Sequence, residues 1–211
     1  MALEAQCPRC PAPVTVAGAD VVCPTHDRGV PLWRTADPSY ESFAEHLVLS
    51  RPLPTWLPWP LPDGWQISDF GCVGNEGGTP LAAFASCSGT SALDGPVELV
   101  VVTEEPGVGL GARVGDVVHT DPGAEVGTGP AAMRLRFAEA TLPVWTVSTA
   151  EDGEALDRAV VAGEAAGRWL WVVVRPASAL LLLRDVGPLT DLSELGPPLV
   201  DTPFGMVPRS W

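Results

Sequence analysis

Cys7-Pro8-Arg9-Cys10 and Cys23-Pro24-Thr25-His26 are the two stretches that decide how the first part of this chain folds. Their spacing is C-x2-C, twelve residues and C-x2-H. The two intervening residues let both ligand atoms of each stretch turn toward one point. Structural zinc sites take four such ligands in a tetrahedron. We therefore predict that Cys7, Cys10, Cys23 and His26 bind one structural zinc ion.

The connector between the two stretches predicts a hairpin. Val14 to Val16 and Val21 to Val22 are short strand-like runs on either side of Gly18. A segment this small cannot build its own core, so the metal would supply the folding energy. Four protein ligands leave no coordination position for water, which indicates a structural rather than a catalytic ion. The alternative is three unliganded thiols and an unrelated histidine.

The composition indicates what kind of protein the remaining chain forms. The 211 residues are 46% hydrophobic, which suits one domain beside the zinc-binding segment. No run of eighteen apolar residues occurs, and no basic stretch followed by an apolar one opens the sequence, so we expect neither a membrane span nor a secretory signal. Metal-type cysteines without a signal favour a reducing cytoplasm.

The charge argues against nucleic-acid binding. The chain has 12 arginines, no lysine and a net charge of −14, and residues 1–35 are neutral, so the excess of acid lies in residues 36–211. A nucleic-acid binder needs cations to replace the phosphate counterions. The absence of lysine also excludes a P-loop lysine and Schiff-base catalysis.

Residues 36–51 predict one amphipathic helix. Asp37 is a suitable N-cap and Pro38 a suitable first helical residue. The apolar face is formed by Tyr40, Phe43 and Leu47. His46 lies off that face, and we expect it at the surface.

Residues 52–65 form a segment with five prolines and three tryptophans, which excludes a helix or a central strand. Two interpretations remain open. Trp56 and Trp59 could bind a protein partner through an aromatic-lined groove. Alternatively, the segment is a strap that packs over the core through its own tryptophans, and this is favoured because a buried tryptophan carries a large apolar area.

The sequence after residue 65 predicts an antiparallel sheet. Strands are expected at 66–71, 81–88, 97–103, 133–137, 144–148, 169–175 and 180–184, with part of 154–166 helical. Cys72 and Cys87 are expected as small buried side chains near each other across the first hairpin. The predicted fold is mainly β (α+β): a zinc ribbon at 1–35, a linker helix at 36–51, and an antiparallel β-rich domain with the Trp/Pro strap at 52–211.

A glycine-rich loop follows the strand at 97–103. Its candidate ligand-binding residues are Glu104, Glu105, Gly107, Gly109, Gly111 and Arg113. Glutamates can act as acid and base, arginine can hold an anion, and glycines let a ligand approach the backbone. The loop also fits the loose pattern G-x-G-x-x-A, but the sequence after it is broken by glycine and proline and does not predict the helix that a nucleotide site requires. The alternative is an ordinary turn with solvated charges.

Three stretches, Trp56 to Trp65, Glu104 to Arg113 and Ala162 to Trp171, together with the N-terminal cysteines, resemble an uncharacterised family of actinobacterial proteins. The resemblance covers most of the chain. It implies a soluble bacterial protein with a zinc-ribbon head and brings no established activity.

The leading functional hypothesis is a cytoplasmic adaptor or regulator that binds another protein, with the zinc ribbon stabilising the docking surface. The closed metal site, the acidity and the absence of a catalytic constellation motivate it. The alternative is a small-molecule-binding or enzymatic β domain that uses the loop at 104–113. A third interpretation is association with the ribosome or polymerase through the ribbon.

Overall fold

The computed structural model describes residues 3–75, 77–137, 140–148, 157–207 and 211, and over these residues the chain is mainly β, as predicted. The strands of the described residues are β1 (Leu3–Gln6), β2 (Thr15–Ala17), β3 (Asp20–Cys23), β4 (Asp27–Gly29), β5 (Leu32–Thr35), β6 (Trp56–Pro58), β7 (Gln66–Val73), β8 (Ala82–Ser91), β9 (Gly95–Glu104), β10 (Met133–Phe137), β11 (Ala140–Thr146), β12 (Ala159–Ala165), β13 (Arg168–Arg175) and β14 (Leu189–Asp191). The helices are α1 (Tyr40–Leu49), α2 (Leu110–Gly115) and the 3-10 helices Ala177–Arg184, Leu192–Glu194 and Pro197–Asp201.

Most strands form one large sheet in the order β1-β5-β7-β8-β9-β13-β12-β11-β10-β14-β6, and β2, β3 and β4 form a separate small sheet. Neighbouring strands are antiparallel except β10 and β14, which are parallel. The small sheet confirms the predicted hairpin, because β2 pairs with β3 across Gly18.

The large sheet curls over itself and encloses the main core. Strand β11 pairs with β10 through residues 140–144 and with β12 through residues 145–146, so it passes from one part of the sheet to the other. As a result β6 comes to lie against β8 and β9. Leu57 of β6, Ile67 of β7 and Leu99 of β9 are buried in this core.

A second core covers the opposite face of the sheet. Phe84, Val102 and Trp171 project from β8, β9 and β13 and pack against Leu110 and Val114 of α2. This face carries α2 at one end, and it positions the candidate site described below.

Helix α1 begins two residues later than predicted. Ser39, not Asp37, is its N-cap, because its hydroxyl accepts a hydrogen bond from the Ser42 amide while the Ser42 hydroxyl accepts one from the Ser39 amide. The apolar face is as predicted: Phe43 packs edge-on against Phe70 of β7 at a ring-centroid distance of 4.9 Å.

The prediction for His46 was wrong. The side chain is fully buried between the rings of Phe43 and Phe70, and Nε2 hydrogen-bonds to the hydroxyl of Thr55 at 3.1 Å. Burial lowers the pKa of His46 to about 3, because a charged imidazole cannot be solvated there.

Two further predictions of local structure were wrong. Residues 159–165 are strand β12, not helix: they pair with β11 and β13, and Val160 and Val161 pack into the two cores on opposite faces of the sheet. Residues 154–156 of that predicted helix lie outside the described residues. Residues 180–184 belong to the 3-10 helix Ala177–Arg184, not to a strand. A continuous apolar run does not distinguish the two structures by itself.

The Trp/Pro strap (residues 52–65) is extended, with β6 paired to β14 at the edge of the sheet. Cys72 and Cys87 are buried as expected, but they are not opposite each other. Cys72 faces Ala83 across the hairpin and Cys87 faces Ile67.

The three-part domain division stays a prediction. Strand β5, which lies within 1–35, pairs with β7, and β1 pairs with β5, so strands of the first segment extend the large sheet. No helix among the described residues combines the length and the hydrophobicity needed to cross a bilayer.

The buried His46 predicts a pH dependence of stability. Its pKa is lower in the folded chain than in the unfolded one, so its contribution is complete above pH 6.5 and is lost as the pH falls toward 3. Relative to His46→Gln, the free energy of unfolding of the wild type should fall by about 2 kcal/mol between pH 6.5 and pH 5. Urea unfolding of both proteins across this range measures the difference. A difference that does not change with pH would contradict the burial of a neutral His46.

Candidate metal centre and the glycine loop

The four predicted metal ligands come from two turns of the metal module, which we define as residues 7–29. Cys7 and Cys10 follow β1, Cys23 ends β3, and His26 lies in the turn between β3 and β4. Cys7 and Cys23 are buried, Cys10 is half-buried and His26 is exposed. The hairpin therefore brings together residues that are up to nineteen positions apart.

The ligand atoms form one cluster, in which all lie within 4.8 Å of one another. Cys7 Sγ is 3.6 Å from His26 Nδ1, Cys23 Sγ is 3.8 Å from the same nitrogen, and Cys10 Sγ is 3.5 Å from Cys23 Sγ. Such a cluster can hold a metal ion, and Nδ1 is the imidazole nitrogen that faces it.

Two arginines join the metal module to the glycine loop (residues 104–113). Arg9, an intervening residue of the first turn, donates from Nε to the Val108 carbonyl at 3.1 Å and from Nη2 to the Gly107 carbonyl at 2.8 Å. Arg113 of α2 donates to the backbone carbonyl of Cys7 and, at 3.0 Å, to Gln6 Oε1. Each segment therefore donates arginine hydrogen bonds to the backbone of the other: Arg9 of the ligand turn to the loop, and Arg113 of the loop to the ligand turn.

Arg113 is consequently placed behind the ligand turn and not in an open anion site. Burial lowers the pKa of Arg113 to about 10, with the charge of Arg34 as a further cause. The guanidinium of Arg113 lies 5.2 Å from the ring of Trp211, and that of Arg34 lies 3.7 Å from it. Through its hydrogen bond to the Cys7 carbonyl, Arg113 positions the backbone of a candidate metal ligand.

Glu104 is also inside the protein. The side chain is fully buried, and Oε2 accepts hydrogen bonds from the amides of Leu110 at 2.8 Å and Gly111 at 3.3 Å. Burial raises the pKa of Glu104 to about 7, although these amides and the Trp171 indole oppose the shift. Helix α2 begins inside the loop at Leu110 and ends after six residues at Gly115, so it is too short for the helix that a nucleotide site requires. The Glu104 carboxyl accepts hydrogen bonds from the first amides of α2.

The glycines of the loop have separate structural roles. Gly109 has φ 85°, a left-handed conformation in which it precedes α2. At Gly111 a Cβ atom would lie 2.3 Å from the indole of Trp171, so only glycine fits. The close contact of α2 with β13 depends on this position.

A cleft of about 370 Å³ separates the metal module from the loop. Val21, Val30 and Leu81 contribute apolar walls, and Glu105 and Gly107 contribute the loop side. Glu105 also forms an ion pair with Arg168 at 2.7 Å. Of the predicted loop residues, the structure thus brings Glu105 and Gly107 to a cleft beside the metal ligands, and it places Glu104 and Arg113 behind it.

Trp56 and Trp59 lie elsewhere, on the Trp/Pro strap. Both are half-buried against the main core. Trp56 packs edge-on against Phe137 at 5.0 Å between centroids, and the Trp59 amide donates to the Pro188 carbonyl at 3.1 Å. These contacts show that Trp56 and Trp59 pack the strap against the protein's own core.

Sequence analysis missed Arg9 and Arg34. Arg9 is one of the two residues between the first two cysteines, and its partners are 98 and 99 positions away. Arg34 pairs with Asp69 at 2.8 Å inside the sheet. The available signal for Arg34 was an arginine that directly follows the apolar pair Leu32-Trp33 in β5; no local signal marked Arg9.

The chain belongs to a family of unknown function, DUF6758, which matches residues 1–210. No curated protein and no solved structure matches it. The expected membership of an uncharacterised family is confirmed, and the family brings no activity to the site.

Arg113→Met should weaken metal binding by roughly 10- to 100-fold, the usual effect of removing a group that orients a metal ligand. The change deletes the hydrogen bonds to Cys7 and Gln6 but leaves all four ligand side chains. A competition titration with a chromophoric chelator measures the affinity.

Arg136→Met is the matched control for this prediction, because Arg136 donates to the Val186 carbonyl at 2.7 Å far from the metal module. Equal metal affinities of the Arg113 and Arg136 variants would contradict a role of Arg113 at the metal centre.

Proposed function

We propose that the chain is a protein-binding adaptor whose metal module is held by a structural Zn²⁺ ion and receives an extended segment of its partner. The observation that carries the proposal is that β4, an edge strand of the small sheet, borders the cleft beside the metal ligands. The proposal joins the two sequence expectations, a structural zinc and a docking surface, at one place.

The donor set and its distances support zinc. Three thiolates and one imidazole are soft or borderline ligands of the kind that zinc selects in structural sites. A regular tetrahedron with Zn–S bonds of about 2.3 Å and a Zn–N bond of about 2.0–2.1 Å has edges of about 3.6–3.8 Å. The ligand atoms of Cys7, Cys10, Cys23 and His26 are separated by 3.5, 3.6 and 3.8 Å in the three measured pairs. Four protein ligands fill the coordination sphere, which favours a structural ion.

Strand β4 supports binding by strand addition. It pairs with β3 on one side, and its three residues are exposed. An extended peptide can add to such an edge through main-chain hydrogen bonds while alternate side chains enter an adjacent pocket. Asp27, Arg28 and Gly29 of β4 all line the cleft, so a side chain from an added strand would reach its apolar walls.

The chemistry of the partner follows from the cleft and the charge. Val21, Val30, Val73 and Leu81 favour an apolar anchor. The net charge of −14 attracts a basic segment and speeds its association at low salt. The proposed partner is therefore a protein with an extended segment that alternates basic and apolar residues.

A small-molecule ligand in the same cleft is the second candidate. Its volume of about 370 Å³ lies within the usual range for ligand pockets. Gly107 offers close approach to the backbone and Glu105 offers one carboxylate, but Glu104 and Arg113 do not line the cleft. This candidate is therefore a binding function, because the second carboxylate and the anion-binding arginine that catalysis would draw from the loop lie elsewhere.

A short synthetic peptide that alternates arginine and valine should bind the metal-loaded full chain and shift the NMR amide resonances of β4. Val30→Glu places a charge in the apolar wall and should weaken this binding at least tenfold. Fluorescence anisotropy of the labelled peptide gives the affinities.

Val118→Glu serves as the control, because Val118 is 71% exposed and lies outside the lining of the cleft. A peptide that alternates glutamate and valine tests the charge preference. Unchanged β4 resonances, or equal affinity for the Val30 and Val118 variants, would refute strand addition at this cleft.

A further inference from the structure

The junction between β9 and α2 contains a carboxyl group inside the protein. Glu104 is the last residue of β9 and lies between Ala82 of β8 and Trp169 of β13 in the large sheet. The residue is fully buried. Removal from water disfavours the charged form of a carboxyl group, so this position favours a protonated Glu104 unless a nearby cation compensates.

The cations around Glu104 are engaged elsewhere. Arg168 of β13 forms an ion pair with Glu105 at 2.7 Å. Arg113 of α2 donates to the Cys7 carbonyl. None of the ion pairs among the described residues includes Glu104. A negative charge on this side chain would therefore lack a counter-ion.

A further titratable neighbour of Glu104 is itself acidic. Asp121 accepts a hydrogen bond from the Gly107 amide at 2.9 Å. Ala82, which lies opposite Glu104 on β8, carries no charge. Burial is the main cause that raises the pKa of Glu104 to about 7, and the negative charge of Asp121 adds to it.

The two carboxyl oxygens of Glu104 have different surroundings. Oε2 accepts hydrogen bonds from the Leu110 amide at 2.8 Å and the Gly111 amide at 3.3 Å. Oε1 has no hydrogen-bond partner among the described residues, and neither has Nε1 of the neighbouring Trp171. A charge on Oε1 would be buried without a donor, which costs more than a buried neutral hydroxyl. The arrangement of these residues therefore suits the neutral acid.

The hydrogen bonds of Glu104 attach the start of α2 to the sheet, and contacts with the metal module lie on both sides of this attachment. Between Glu104 and α2, two loop carbonyls accept hydrogen bonds from Arg9 of the ligand turn. On α2 itself, Arg113 donates to the backbone of Cys7. If the first amides of α2 separate from Glu104, both groups of contacts change position.

We propose that Glu104 is a proton-dependent switch of the glycine loop: the neutral acid holds the loop closed on the sheet, and ionisation favours an open loop in which the carboxylate reaches water. The direction follows from linkage. Glu104 binds its proton more tightly in the closed loop, where its pKa is about 7, than in an open loop, where the ordinary value of 4.5 applies. Opening is therefore least favourable below pH 4.5, becomes easier as the pH rises toward 7, and changes little above that.

The switch also affects the cleft beside the metal ligands, because Glu105 and Gly107 form its loop side. An open loop displaces this wall, so binding in the cleft should weaken as the pH rises toward 7. This consequence rests on the proposed function, whereas the titration of Glu104 does not. A test without a peptide therefore decides the switch whether or not the cleft binds a partner.

The first measurement is an NMR titration of the zinc-loaded full chain, labelled with carbon-13 at glutamate, between roughly pH 5.5 and pH 8.5, a range that brackets the raised pKa. The Glu104 carboxyl resonance, assigned through bonds to its own amide, should titrate with a midpoint near pH 7. The amides of Leu110 and Gly111 should shift with the same midpoint, because they donate to this carboxyl group.

Hydrogen exchange measures the opening itself. In the wild type, the protection factors of the Leu110 and Gly111 amides should fall about tenfold between roughly pH 6 and pH 8, as the two pKa values of Glu104 require. Glu104→Gln mimics the neutral acid, so its protection factors should not change over this range. Glu164→Gln is the matched control, because Glu164 lies in the same row of the sheet beyond Trp169 but is exposed, and it should behave as the wild type does.

The proposal is overturned if the Glu104 resonance titrates near its ordinary value of 4.5, if it stays protonated throughout the titration, or if Glu104→Gln retains the pH dependence of the protection factors. Because the resonance is measured in the wild type, the titration decides the proposal even if Glu104→Gln does not fold.

Discussion

The contact between Arg113 and the backbone of Cys7 is the interaction on which the arrangement of the candidate site depends. It fixes the first ligand turn against α2, while Arg9 of that turn binds the carbonyls of Gly107 and Val108. Ligand turn and glycine loop are therefore one unit, and a cleft forms where they meet. A hairpin this small has little core of its own, so reciprocal hydrogen bonds to a large sheet give it a defined orientation.

The two ends of the sheet face that carries α2 differ in character. At one end Trp171 and Phe84 form an apolar surface that α2 covers, and the close approach at Gly111 brings that helix down onto β13. At the other end serines and paired charges replace the apolar side chains.

The sequence was sufficient for features that local chemistry decides. The ligand spacing identified Cys7, Cys10, Cys23 and His26, which the structure brings into one cluster, and apolar runs identified β9 and β13. It was insufficient where a local pattern is ambiguous. Residues 159–165 and 177–184 both contain apolar runs, and only their neighbours in space make one a strand and the other a 3-10 helix. Helical spacing places Phe43 beside His46, but His46 was misjudged because Phe70 and Thr55, which complete its burial, come from other segments of the chain. Partners 106 positions apart, such as Arg113 and Cys7, leave no mark in a single sequence.

Hydrogen exchange with and without the metal tests the central claim that the metal centre and the glycine loop form one unit. The amide exchange of the full chain should be compared before and after treatment with a zinc chelator. If the unit is real, removing the metal will reduce protection both in residues 7–29 and in the loop at 104–113, including the amides of Leu110 and Gly111 that bind Glu104. Loss of protection confined to residues 7–29, with the loop amides unchanged, would show that the loop is organised without the metal module and would contradict the account.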